Sequence, residues 1–136
     1  ALQVAQERGI VGGFGQGADM SAFAPEAQLT SIIDHWGPHY AKSAQAVIDG
    51  TWTPGDIWEG LKEEMVQIGP YGEKVPEDVV AAAEAVKNGQ IDGSFNIFTG
   101  PINDHTGAEK VPAGVTMTDA ELLSMDWYVE GVIPPA

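Results

Sequence analysis

Two short apolar segments separated by a glycine-rich polar loop constrain the fold of this chain more than any other feature. Ile10–Phe14 has the composition of a short buried strand, and the β-branched residues of Leu29–Ile33 predict a second one. The loop Gly15–Pro25 lies between them, and apolar residues at helical spacing follow from Trp36 to a stop at Gly50. This alternation predicts an α/β fold, in which ligands bind beyond the carboxyl ends of the strands.

The rest of the chain continues this alternation without a linker or an internal repeat, so we predict one region over residues 1–136 with no separate domains. The capping pair Thr118 and Glu121 predicts the start of a last helix. The other expected elements are the end of a helix at Ala1–Arg8, strands and turns over Thr51–Pro70, a helix over Val75–Gly89, strands at Ile91–Phe98 and Trp127–Val132, and a loop over Asn103–Gly114.

Charge and composition exclude several classes of function. Six Lys and Arg against 20 Asp and Glu give a net charge of −14, which disfavours nucleic acid and anionic lipid as partners. The sequence contains no cysteine, so thiol catalysis and zinc–thiolate sites are excluded. No run of eighteen apolar residues occurs, so no membrane-spanning segment is predicted.

Three motifs suggest chemistry, and each has a simpler structural interpretation. Gly13–Ala18 fits a degenerate dinucleotide fingerprint, but Pro25 argues against the helix that would have to follow. Asp34, His35 and His39 could contribute to a metal site, yet no further His or Cys completes one. The segment from Asp104 to Thr106 has the composition of a solvated turn. We therefore predict no metal, no cofactor and no catalytic activity.

Two residues that follow predicted strands are suited to binding a planar heterocycle. Trp36 comes directly after the second strand, where its indole could stack on an aromatic ligand. Asp19 follows the first strand and could accept hydrogen bonds from ring N–H or amino groups. The default interpretation of the aromatic residues remains a place in the core.

Several longer motifs, in order along nearly the whole chain, resemble the BMP (basic membrane protein) family of ABC transporter substrate-binding proteins. They are Gly15–Pro25, Leu29–Ile33, Trp36–Tyr40, Asp49–Trp52, Phe98–Ile102 and Leu122–Val129. The resemblance implies a type I periplasmic-binding-protein fold, of which this chain matches a C-terminal portion covering parts of both lobes. By this resemblance, the matching portion would not include most of one lobe, the secretion signal or the lipid-bearing cysteine of that family.

The resemblance also implies a function. Such proteins bind purine nucleosides or a purine base in the cleft between their lobes and serve ABC importers, so the expected partners are a purine-type ligand and permease subunits. The expected location is periplasmic, or extracytoplasmic and membrane-anchored. A portion of a two-lobe protein should expose apolar surface, which favours association between copies of the chain.

Carried over position by position, the resemblance places the ligand among Gly17, Asp19, Met20, Phe23, Asp34 and Trp36. Nucleoside-binding members tend to have Asp where this chain has Gly17, and Lys where it has Asp34. Both departures remove expected contacts to a nucleoside, so the sequence favours a free purine base with Trp36 as its stacking platform. Two alternatives remain open at this point: a small heterocycle-processing enzyme, and a ligand-sensing regulatory domain.

Overall fold

The computed structural model describes residues 1–10 and 12–135, which form two compact units, residues 1–92 and 93–136. Val11, which belongs to the first predicted strand, lies outside the described residues. Among the described residues, no helix combines the length and the apolar character that a membrane crossing requires.

A three-stranded sheet organises the first unit. Strands β1 (Gly13–Gly17) and β2 (Gln28–Asp34) run parallel, and β3 (Val66–Ile68) pairs antiparallel with β2, in the order β1-β2-β3. The second strand was predicted within one residue at each end. Strand β1 begins three residues later than predicted and continues to Gly17. The glycine-rich residues 15–17, which the sequence assigns to a loop, are therefore part of the paired strand.

The connection between the parallel strands β1 and β2 contains no helix. Gly17 has a φ of +79°, a left-handed conformation that suits glycine and turns the chain as β1 ends. Residues 18–27 then return along the sheet, and two of them, Ala24 and Ala27, are buried. Parallel strands are usually joined by a crossover that contains a helix. This short connection has none, and side-chain hydrogen bonds hold it in shape instead.

Three helices accompany the sheet: α1 (Leu2–Glu7), α2 (Gly37–Ile48) and α3 (Glu77–Asp92). All three were predicted, and α3 continues three residues beyond its expected end. The predicted strand Ile91–Phe98 is wrong, because its first two residues are the last of α3 and no strand follows directly. Residues 51–60 have no regular structure, so the expected strands of this region reduce to β3.

The second unit is built around a short hairpin of β4 (Ile102–Asn103) and β5 (Glu109–Val111), where the sequence predicted a loop. Helix α4 (Asp119–Leu123) begins with the predicted capping box, in which the Thr118 hydroxyl and the Glu121 carboxylate exchange hydrogen bonds with backbone N–H groups. The strand expected at Trp127–Val132 is reduced to a single bridge between Asp104 and Val129.

Candidate functional site

Two of the predicted ligand residues meet where β1 and β2 end. Gly17 pairs with Ile33, so it stands beside Asp34, and a Cβ atom built on Gly17 would lie 3.8 Å from Asp34 Oδ2. The Asp34 side chain is exposed and makes no hydrogen bond or ion pair with any described residue. Its carboxylate is therefore free to accept hydrogen bonds from a ligand, and the absence of a side chain at position 17 leaves it open.

Trp36 lies two residues beyond Asp34, at the N-cap of α2. Its ring stacks on Tyr40, with the ring centroids 5.8 Å apart and an angle of 17° between the planes, and it meets the edge of His39 at 6.1 Å. The residue is 41% exposed. The aromatic neighbours thus hold the indole in one orientation while leaving part of it open to a planar ligand.

The carboxylate of Asp19 is already occupied by hydrogen bonds from neighbouring residues of the protein. Its Oδ1 accepts hydrogen bonds from the Gln28 side-chain amide at 2.8 Å and from the Ser21 backbone N–H at 2.9 Å, and its Oδ2 accepts from the Ser21 hydroxyl at 2.9 Å. These bonds, the one from Gln28 first, lower the pKa of the Asp19 carboxyl below its ordinary value. The charged form of Asp19 therefore holds the loop in shape.

The Gln28 carboxamide forms the other half of this arrangement. It donates to Asp19 and accepts from the Met20 backbone N–H at 2.9 Å, and the residue is buried at the start of β2. Gln28 lies six residues before Asp34, about 20 Å along the strand. The side chain of Asp19 is thus turned toward the amino end of the sheet, away from Asp34.

Phe23 lies on the same crossover, in a turn where its backbone N–H donates to the Met20 carbonyl at 2.9 Å, and its ring is mostly exposed. The structure therefore divides the six predicted residues into two groups. Gly17, Asp34 and Trp36 lie at the carboxyl edge, whereas Asp19, Met20 and Phe23 belong to the returning loop. Sequence reasoning missed Gln28, whose one signal is a polar residue directly before the apolar run of β2.

The two histidines considered as metal ligands have separate partners. His35 Nδ1 lies 3.0 Å from Gln67 Nε2, and His39 Nε2 lies 3.3 Å from the Ser43 hydroxyl. His39 Nδ1 is 3.9 Å from Glu59 Oε2. Within residues 1–10 and 12–135, no group of three or more His, Cys, Asp or Glu side chains is placed to hold a metal ion.

Asp104 is likewise occupied by its own loop. Its Oδ1 accepts from the Thr106 hydroxyl at 2.6 Å, the Thr106 N–H at 2.8 Å and the Ala108 N–H at 3.1 Å, and Lys110 Nζ lies 3.4 Å from Oδ2. These contacts, led by the Thr106 hydroxyl, hold the pKa of the Asp104 carboxyl far below its ordinary value. An acid that stays ionised in this way shapes the β4–β5 turn and is unsuited to proton transfer near neutral pH.

The larger cavities of the first unit lie away from the carboxyl edge. One, of about 430 Å³, opens between the sheet and α3 and has an almost entirely apolar lining. Another, of about 410 Å³, lies between α2 and residues 51–59, with Trp52 and Glu59 in its wall. The carboxyl edge with Gly17, Asp34 and Trp36 is an open surface by comparison.

Comparison with solved structures shows the fold that part of this chain shares with a larger protein. The crystal structure of a transcriptional activator of the comK gene from Bacillus halodurans superposes with a TM-score of 0.60 at 18% sequence identity, over 71% of this chain and 34% of that one. At that identity the likeness concerns the fold alone.

Comparison with characterised sequences gives a much closer relative. The chain is 46% identical over 132 residues to a protein of Brucella abortus (strain 2308) named as a purine-binding protein. The match covers 97% of this chain and 37% of that protein, so the chain spans little more than a third of its relative's length. No protein-family model matches the sequence. The chain is therefore similar to a purine-binding protein along nearly all of its own length.

Proposed function

We propose that this chain is part of a solute-binding protein that takes a free purine base at the carboxyl edge of β1 and β2. The observation that carries the proposal is the 46% identity to a purine-binding protein over 97% of the chain. In this proposal Trp36 stacks on the purine ring, and the unpaired Asp34 carboxylate accepts hydrogen bonds from its N–H or amino groups.

The charges at this edge favour a base over a nucleotide or nucleoside. Gly17, Asp34 and Trp36 together carry one carboxylate and no cation, so a phosphate group would be repelled. An Asp at position 17, as nucleoside-binding members of the BMP family tend to have, would stand directly beside the Asp34 carboxylate. Gly17 and Asp34 therefore differ together from the residues of the nucleoside-binding members, and the side chains expected to hold a ribose are missing.

The biological setting proposed follows from the BMP resemblance. The complete protein would be a type I periplasmic-binding-protein fold, located outside the cytoplasm, which closes two lobes over the purine and delivers it to the permease subunits of an ABC importer. Asp19, Met20 and Gln28 would keep the β1–β2 crossover in the shape that the carboxyl edge requires. Binding without catalysis requires no activated nucleophile.

Calorimetric titration of the purified chain with adenine, guanine, adenosine and guanosine tests this proposal. We expect a purine base to bind more tightly than either nucleoside, and Trp36→Ala to weaken that binding about 5- to 150-fold, because stacking on an aromatic ring contributes about 1–3 kcal/mol per base. Trp52→Ala is the matched control, since Trp52 is also exposed but lies away from the carboxyl edge, in the wall of the cavity between α2 and residues 51–59. It should leave the affinity unchanged.

Two results would count against the proposal. Tighter binding of a nucleoside would exclude the assignment of Gly17 and Asp34 as residues that favour the base. An equal loss of affinity in the Trp36 and Trp52 variants would exclude Trp36 as the specific stacking platform. Absence of heat with all four ligands would show that this portion of the protein does not form a binding site by itself.

A further inference from the structure

The cavity between α2 and residues 51–59 has a mixed polar and apolar wall, and the proposed purine site does not use it. Its volume of about 410 Å³ is typical of a small-molecule site. One face of α2 forms one side of the cavity, with four side chains at helical spacing: His39, Lys42, Ser43 and Ala46. The backbone N–H groups of Thr51 and Trp52 both donate to the Ala46 carbonyl, which holds the opposite wall against the helix.

Two opposite charges line this cavity without a partner in the protein. Lys42 makes no ion pair or hydrogen bond with any described residue. The Glu59 side chain is only 26% exposed, and its Oε2 lies 3.9 Å from His39 Nδ1, too far for a hydrogen bond. His39 Nδ1 is itself buried and has no hydrogen-bond partner among the described residues. Because partly buried polar groups are costly without a partner, this arrangement points to a ligand.

Apolar surface lies in the same wall as the two charges. Trp52 and Ile57 both line the cavity, and they are 52% and 42% exposed. An indole face and a branched aliphatic side chain are suited to an apolar or aromatic group of a ligand. The wall therefore offers three kinds of contact to one small molecule: a cation, an anion and an apolar surface.

We propose that this cavity binds a zwitterionic α-amino acid with an apolar or aromatic side chain. The ligand's carboxylate binds the Lys42 ammonium, its ammonium group binds the Glu59 carboxylate, and its side chain packs on Trp52. A molecule with a single charge leaves one of the two protein charges without a partner, and an uncharged purine base leaves both. The site is therefore separate from the carboxyl edge, and the inference does not depend on the proposed function.

Calorimetric titration of the 136-residue chain with L-phenylalanine and two analogues tests the proposal. Phenethylamine lacks the carboxylate and 3-phenylpropionate lacks the ammonium group, so each should bind about tenfold or more weakly than L-phenylalanine. Lys42→Met should weaken L-phenylalanine binding to the level of phenethylamine and leave phenethylamine itself unchanged. Glu59→Gln should weaken L-phenylalanine binding to the level of 3-phenylpropionate and leave that analogue unchanged. These matched losses assign each charge of the ligand to one residue.

Lys62→Met is the control, since Lys62 is exposed outside the cavity and its loss changes the net charge as Lys42→Met does. It should bind L-phenylalanine as the wild type does, and circular dichroism should show that all variants are folded. Saturation with adenine should leave the L-phenylalanine affinity unchanged, which separates this site from the purine site. Absence of L-phenylalanine binding at millimolar concentration, equal affinity for all three compounds, or equal losses in the two lysine variants would each overturn the proposal.

Discussion

Replacement of Gly15 by alanine is expected to lower the free energy of unfolding of the first unit by about 1–3 kcal/mol, the usual cost of overpacking a closely packed interior. The new Cβ atom would contact the Ser31 hydroxyl, lie 2.9 Å from Ser31 Cβ and lie 3.0 Å from the Ala18 carbonyl oxygen. Ser31 is fully buried, so it cannot move aside into solvent. The substitution would therefore push the crossover away from the sheet.

Urea unfolding followed by circular dichroism measures this effect, and hydrogen exchange of residues 1–92 assigns it to the first unit. Gly55→Ala is the matched control, because a Cβ at Gly55 has no heavy atom within 4 Å and its backbone is not left-handed. That variant should stay within about 0.5 kcal/mol of the wild type. Equal stability of the two alanine variants would contradict the close packing of the returning loop against β1 and β2.

The second large effect is expected at Gln28. Gln28→Leu keeps most of the side-chain volume but removes the donor to Asp19 and the acceptor of the Met20 N–H. Loss of two hydrogen bonds at a residue that is 4% exposed should lower the free energy of unfolding by about 2–3 kcal/mol, because the Asp19 carboxylate and the Met20 N–H lose their partner. Urea unfolding measures this change. Gln45→Leu removes an exposed hydrogen bond to Asp49 on α2 and should change stability by less than about 0.5 kcal/mol.

The same substitution should change how the stability depends on pH. In the folded wild type the pKa of Asp19 is lowered, so its charged form contributes stability above the unfolded pKa, and this contribution is lost as the pH falls through the folded pKa. Gln28 supplies the largest part of that lowering. In Gln28→Leu the pKa of Asp19, followed by NMR titration, should rise and the acid loss of stability should shrink. An unchanged pKa would contradict the role assigned to Gln28.

These predictions separate two tasks that the sequence could not distinguish. Asp19 and Asp34 are both acidic residues that follow a predicted strand, so the sequence makes them equal candidates for binding a ligand. The structure shows that the Asp19 carboxylate accepts three hydrogen bonds, two from Ser21 and one from Gln28, whereas the Asp34 carboxylate has no partner among the described residues. We therefore expect loss of Asp19 to act on folding and loss of Asp34 to act on ligand affinity.

The sequence by itself determined the elements whose signals are local. The β-branched run of β2, the regular apolar spacing of α2, the acidic start and apolar face of α3 and the capping box of α4 all depend on residues within a few positions of each other, and each was predicted close to its observed place. The motifs of Gly15–Pro25 and Trp36–Tyr40 likewise carried the resemblance from which purine binding was expected, and the purine-binding relative supports that one expectation.

Only the tertiary structure decided which side chains share a task. The direction of the Asp19 side chain depends on Gln28, nine residues away, and the openness of Asp34 depends on the glycine that β1 places beside it. The hairpin of β4 and β5 was missed for the same reason, since two- and three-residue strands are specified by their pairing partners and not by periodicity. Contacts between residues distant in sequence decided which of the candidate residues are engaged and which are open, because no local pattern encodes them.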